Sequence, residues 1–186
     1  MSSILRILGF KSVKSDDTEI KTPEVFTLPK KDDIVPTDAG LRYFTASEFR
    51  GQLDLIDPRL LEVLDEFRHL WGKAVRISNS SGALGRTSGV GFHNHVKHGA
   101  IMAVDVIPEG MKTTRDFKQA RDLAVKAGAT GVGIYPKWNQ GPGLHMDIGQ
   151  RAHGGVGQWS AYPTGPNGRQ EYYGIDKALN DPEFKQ

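Results

Sequence analysis

The sequence predicts an α+β domain that has a small antiparallel or mixed sheet with helices packed on one side. Two segments carry apolar residues at helical spacing, and four short apolar runs have the length of strands. Along the chain they follow the order helix, strand, loop, strand, helix, hairpin, which is typical of this class. The 186 residues, 38% of them hydrophobic and 25% charged, suit a single core, and we see no internal repeat.

The best-specified element is a helix that runs from Asp57 to Trp71. Asp57 is a favourable N-cap, and Pro58 suits the first helical position because its missing N–H would have no partner there. The apolar residues recur three or four positions apart, and Gly72 is a typical helix stop. A short helical start over residues 44–49 is predicted to precede this helix.

The next elements are strands and turns. Residues 74–77 alternate as a short strand, and the loop at 78–91 is rich in Ser and Gly. The run Ala100 to Ile107 lies between Gly99 and Pro108, and its length favours a buried strand. The remaining predicted elements are a helix at 113–127, capped by Thr113 or Thr114 and closed by Gly128, and two hairpin strands at 131–135 and 144–148.

The two ends of the chain differ in composition from the middle. Residues 11–40 are polar and contain three prolines, so they offer little apolar surface to bury. We therefore interpret residues 1–40 as an extended arm or tether and residues 41–186 as the folded domain. From about residue 150 the chain is rich in Gly, Pro and aromatic residues, and we expect this segment to wrap the domain surface.

Composition excludes several classes of site. The chain has no cysteine, so any metal site must use His, Asp and Glu. The net charge is only +2 and the cations are dispersed, which argues against a nucleic-acid partner. No apolar run approaches the roughly 20 residues that a membrane span needs, and no signal-peptide pattern is present, so we expect no membrane span and synthesis in the cytoplasm.

Three residues form a candidate metal site: His98, Asp105 and His145. Asp105 lies inside an apolar run, where a carboxylate is costly to bury unless it is paired or bound to a cation. His145 and Asp147 share one face of a predicted strand, because strand side chains alternate. A divalent cation would satisfy such groups, and catalytic zinc typically has three N or O ligands and an open position. The alternative is a hydrogen-bonded histidine beside a buried acid.

Other side chains near these positions have more than one interpretation each. Asp147 is either a general base or a group that orients a ligand histidine. His93 and His95 are alternative ligands, alternative bases or solvated loop residues. Arg86 is either a clamp for a substrate carboxylate or a plain surface residue. Four aromatic residues are candidates for a substrate groove or for the core: Tyr135, Trp138, Trp159 and Tyr162.

The motifs also resemble a known family. Residues 98–105 are similar to the His-x6-Asp element of the M15-type zinc peptidases, the D-alanyl-D-alanine carboxypeptidase and phage endolysin group. Residues 131–136 followed by 144–149 resemble that family's Gly-rich strand and its His-x-Asp strand. The similarity covers about residues 41–159, with the predicted helix and first strand in the expected order.

The chain departs from that family's pattern at three places. Val96 and Ile101 stand where members often have Ser and Gly, and residues 78–81 replace the usual Ser-Gly-x-Arg, so that Arg86 would have to supply the arginine. Pro142 and Gly143 occupy positions where members often carry the general base. The resemblance therefore supports metal binding more directly than catalysis.

The resemblance implies a zinc-dependent hydrolase that cleaves amide bonds in the peptide stems of peptidoglycan. Zinc would be held by His98, Asp105 and His145, and Asp147 and Arg86 would act in catalysis. Such proteins are often phage-encoded, so we expect a virion-associated protein or endolysin that reaches the virion or the host cell wall. Other virion proteins are expected partners of residues 1–40. The alternative is an inactive virion structural or cell-wall-binding module that retains the fold.

Overall fold

The computed structural model describes residues 41–164 and 169–185, so the predicted arm at 1–40 lies outside the described residues. The described strands are β1 (Val75–Ile77), β2 (Ala103–Pro108), β3 (Gly131–Tyr135), β4 (Gly143–Asp147), β5 (Gly157–Thr164) and β6 (Arg169–Gly174). The described helices are α1 (Pro58–Trp71), α2 (His95–His98), α3 (Thr114–Lys126) and α4 (Asp176–Leu179), with 3-10 turns at Ala46–Phe49, Leu53–Leu55 and Pro182–Phe184.

The strands form one mixed sheet in the order β1-β2-β4-β3-β5-β6. Every neighbouring pair is antiparallel except β3 and β5, which are parallel. Helices α1, α3 and α4 contribute buried apolar residues to the same core as alternate residues of β2, β3 and β4. The predicted α+β class, with a mixed sheet and helices on one side, is confirmed.

The two long helices begin where their caps predict. The Asp57 side chain accepts a hydrogen bond from Arg59 N at 3.0 Å, and α1 ends at Gly72 with φ +69°. Thr113, the first of the two predicted caps, accepts from Asp116 N at the start of α3. Within the described ranges, no helix is both long and apolar enough to cross a membrane.

The central strands place functional side chains on the face of the sheet away from these helices. In β2, Val104 and Val106 belong to the hydrophobic core, so Asp105 between them points to the opposite face. In β4, Leu144 and Met146 belong to the core, so His145 takes the same opposite face. The alternation expected from the sequence therefore gives the sheet one apolar face and one polar face.

The C-terminal part of the chain is more regular than its composition indicates. Residues beyond Gly149, expected only to wrap the surface, add β5 and β6 to the sheet. β5 pairs with β3 in parallel, which places Trp159 beside Gly133. This pairing brings an aromatic side chain to the polar face, next to the position of His145.

Candidate metal centre

Asp105 and His145 meet because their strands pair directly. The two residues are register partners in the antiparallel β2 and β4 ladder, and directly opposite side chains on one face lie close together. The distance from His145 Nδ1 to Asp105 Oδ1 is 2.8 Å, and both side chains are about nine-tenths buried. Two of the three predicted ligands are thus adjacent.

His93 completes the group from the loop that precedes α2. Arg86 N donates to His93 O at 2.8 Å and His95 N donates to Arg86 O at 3.2 Å, so two parts of this loop pair with each other. His93 Nε2 then lies 3.3 Å from His145 Nδ1 and 3.4 Å from Asp105 Oδ1. One ligand atom from each of the three residues falls within 4.8 Å of the others, and all three residues are buried.

Hydrogen bonds on the outer side of each imidazole aim its inner nitrogen at this group. His93 Nδ1 donates to Leu84 O at 2.7 Å, which leaves Nε2 as its inward atom. His145 Nε2 donates to Asp147 Oδ2 at 3.2 Å, so Nδ1 is its inward atom. Metal-binding histidines almost always have such an acceptor on the nitrogen that does not bind the metal. The buried group can therefore hold a metal ion.

Electrostatics favour an ionised pair in the metal-free protein. Burial lowers the pKa of His145, but hydrogen bonds to Asp105 and Asp147 outweigh it and raise this pKa to about 9. Burial raises the pKa of Asp105, but the hydrogen bond from His145 holds it well below its usual range. The inward Nδ1 of His145 thus carries a proton, and a bound cation would replace that proton.

His98, the third predicted ligand, lies outside the group. It is the last residue of α2, where its ring packs against Phe92 at a centroid distance of 5.0 Å and its Nε2 is 3.4 Å from Val90 O. Asn94 caps α2 by accepting from Lys97 N at 3.0 Å, so the helix begins at His95 and ends at His98, beyond the position of His93. The structure brings His93, one of the two alternatives, to Asp105 and His145 instead.

His95, the other alternative ligand, also stands apart from the group. It is half-buried, and its Nδ1 is buried without a hydrogen-bond partner in the part of the chain that the structure describes. The sequence pattern favoured His98, which precedes Asp105 by seven residues, over both His93 and His95. His93 is oriented by the Leu84 carbonyl, which accepts a hydrogen bond from its Nδ1. The two groups meet only when the loop is folded, so the sequence does not reveal this contact.

Arg86 and Asp147, the predicted catalytic residues, lie at different depths around the group: Arg86 is at its exposed edge, and Asp147 is buried. Arg86 is half-exposed, its Nη2 is 3.8 Å from Asp105 Oδ2, and its Nε donates to Gly82 O at 2.9 Å, so it stands at the edge of the group. Asp147 is buried behind His145, where it also accepts from Gly149 N at 2.9 Å and from Arg151. This position agrees with the interpretation of Asp147 as a group that orients the imidazole of His145.

An aromatic wall borders the group on the β5 side. The Trp159 ring lies 5.0 Å from the His145 ring, in space left open by the missing side chain of Gly133. Trp159 Nε1 donates to the Tyr135 hydroxyl at 3.3 Å, and Tyr135 packs against Trp138 at 4.2 Å. Tyr162 differs, because its hydroxyl donates to Asp181 at 2.7 Å.

The chain matches no family model, and comparison with curated proteins and with solved structures finds no significant match either.

Proposed function

We propose that the protein is a zinc-dependent hydrolase that cleaves amide bonds in peptidoglycan peptide stems. The observation that carries the proposal is the buried group of His93, Asp105 and His145, with both imidazoles oriented from behind. Three N and O ligands are typical of hydrolytic zinc sites, which keep a fourth position for water. The choice of peptidoglycan comes from the resemblance of residues 98–105 and 131–149 to the zinc peptidases of cell-wall stems.

The residues around the group divide into two roles. Bound zinc would supply an acidic water and a Lewis acid for the scissile carbonyl. Arg86 lies at the exposed edge, and its planar guanidinium can hold a stem carboxylate or the developing oxyanion. Asp147 acts through His145 by accepting its outer proton, which keeps the imidazole turned toward the metal position.

A second candidate is a virion structural or cell-wall-binding module that keeps the site without turnover. The observation that favours it is the position of Asp147, whose carboxylate is held by Arg151 and Gly149 behind His145. A carboxylate in that place cannot serve as a base for a water on the far side of the imidazole. In this reading the protein binds cell walls, and residues 1–40 attach it to other virion proteins.

One experiment separates the two candidates. Purified protein is loaded with zinc and incubated with peptidoglycan, with and without a chelator, and the fragments are identified by mass. The hydrolase predicts chelator-sensitive cleavage that His93→Ala abolishes and His98→Ala retains. Cell-wall pull-down with no new fragments would favour the binding module.

A further inference from the structure

We propose that Arg151 is a positioning residue of the metal centre. It holds both histidine ligands in place without contacting the metal. It acts on His145 through Asp147 and on the His93 loop through Phe92. The inference rests on the proposed metal site, and it adds a residue that the hydrolase proposal does not use.

Arg151 grips the carboxylate that orients His145. Its Nη2 donates to Asp147 Oδ1 at 2.6 Å and to Oδ2 at 2.5 Å, while its Nε donates to Thr130 O at 3.0 Å. The Asp147 side chain is 2% exposed, so this arginine and His145 together compensate a nearly fully buried charge. Oδ2, the atom that accepts from His145 Nε2, is therefore fixed from the other side.

The same guanidinium also supports the loop that carries His93. It lies against the Phe92 ring, with Cζ 5.3 Å from the ring centroid, a distance at which cation and ring attract. Phe92 directly precedes His93, and its carbonyl accepts from Met102 N at 2.9 Å. One side chain thus connects the β4 ligand and the loop ligand, although they are 52 residues apart in the chain.

Glycine at position 131 makes this arrangement possible. Gly131 is the register partner of Asp147 in the β3 and β4 ladder. A Cβ atom at Gly131 would overlap both Arg151 Nη2 and Asp147 Oδ2. The absence of a side chain at position 131 therefore leaves the space in which Arg151 lies between Thr130 and Asp147.

The test compares Arg151→Met with a matched arginine elsewhere. Arg68 on α1 also pairs with a carboxylate, Glu48 at 2.9 Å, and lies over an aromatic ring, Phe44 at 4.4 Å. Its side chain is 21% exposed, against 26% for Arg151. Zinc affinity is measured by competition with a chelating dye, and the visible spectrum of the Co²⁺ form reports coordination geometry.

We expect Arg151→Met to weaken zinc binding about 10–100-fold, as loss of outer-shell partners typically does, and to change the Co²⁺ spectrum. Arg68→Met should lower the thermal midpoint but leave both metal readouts unchanged. Arg151→Lys keeps the charge but not the fork, and it should restore part of the affinity. This variant provides the test if Arg151→Met does not fold.

The outcomes distinguish this inference from the proposed function. Wild-type affinity and an unaltered Co²⁺ spectrum in both Arg151 variants would overturn the positioning role while leaving the metal site intact. A wild-type protein that binds no zinc would overturn the metal site and this inference together. Normal metal results without peptidoglycan cleavage would remove the hydrolase and leave Arg151 in its role.

Discussion

Asp105 and His145 face each other across neighbouring antiparallel strands, with His145 Nδ1 2.8 Å from Asp105 Oδ1. Their separation of 40 residues in the sequence becomes a direct contact because β4 inserts between β2 and β3. A single loop residue, His93, then completes a group of three possible ligands.

Replacing His145 with Ala should remove zinc and destabilise the domain. The variant loses a ligand and leaves Asp105 and Asp147 buried without their shared partner, and breaking a buried pair costs about 3–5 kcal/mol. Zinc at a hundred times its Kd would add about 2.7 kcal/mol that the variant cannot gain. Metal content and thermal midpoint, each with and without chelator, measure both losses.

The paired variants His93→Ala and His98→Ala decide the third ligand. We expect His93→Ala to lose zinc, since its Nε2 faces the other two ligand atoms. His98→Ala should keep stoichiometric zinc, because its ring lies against Phe92. The reverse pattern, with zinc lost only in His98→Ala, would show that the loop adopts another arrangement around the metal.

Zinc affinity should rise with pH until about pH 9. The metal displaces the proton on His145 Nδ1, and the pKa of this imidazole is raised to about 9 in the metal-free protein. Below that pH the proton competes, so one displaced proton gives about a tenfold gain in affinity per pH unit. Competition titrations between pH 6 and 9 give the slope; a flat profile would contradict a proton on Nδ1.

The same histidine makes metal-free stability depend on pH in the opposite direction. A pKa raised from 6.5 in the unfolded chain to about 9 in the fold stabilises the protein fully below pH 6.5. That contribution is lost as the pH rises from 6.5 to about 9. Chemical denaturation of the chelator-treated protein should therefore show a decrease in the free energy of unfolding over this range, and His145→Gln should show a smaller one.

Gly131→Ala should weaken zinc binding without touching a ligand. The added methyl group would overlap Arg151 Nη2 and Asp147 Oδ2, so the carboxylate would have to turn away from His145. Gly155→Ala is a control, because a Cβ there has no atom within 4 Å. Dye competition and Co²⁺ spectra check the prediction, and equal affinities in the two variants would argue against a tight slot.

Arg86→Ala should reduce hydrolysis while leaving metal content unchanged. Arg86 stands at the exposed edge, 3.8 Å from Asp105, and removing one oxyanion donor typically lowers kcat about 10²–10³-fold. Arg86→Lys should rescue little, because a lysine cannot hold a carboxylate with two parallel hydrogen bonds. Steady-state kinetics on a soluble stem peptide would test this. Unchanged kcat and KM would show that Arg86 is a surface residue with no role in hydrolysis.

Much of the fold could be predicted from local sequence. Asp57, Pro58 and Gly72 define the ends of α1, and Thr113 defines the start of α3, because caps satisfy backbone groups within a few residues. Alternation in β2 and β4 placed Asp105 and His145 among apolar neighbours, which identified two of the three grouped residues. These features depend on interactions close along the chain.

Only the tertiary structure brought His93, and not His98, to Asp105 and His145, and it alone brought Arg151 and Trp159 to this group. Sequence spacing made His98 the natural partner of Asp105, but the Arg86 to His93 pairing and the Leu84 carbonyl turn His93 inward instead. Trp159 reaches His145 through a parallel pairing of β5 with β3 that no local pattern encodes. Periodicity shows which face a side chain takes, whereas the choice of its neighbours depends on hydrogen bonds between segments far apart in the chain.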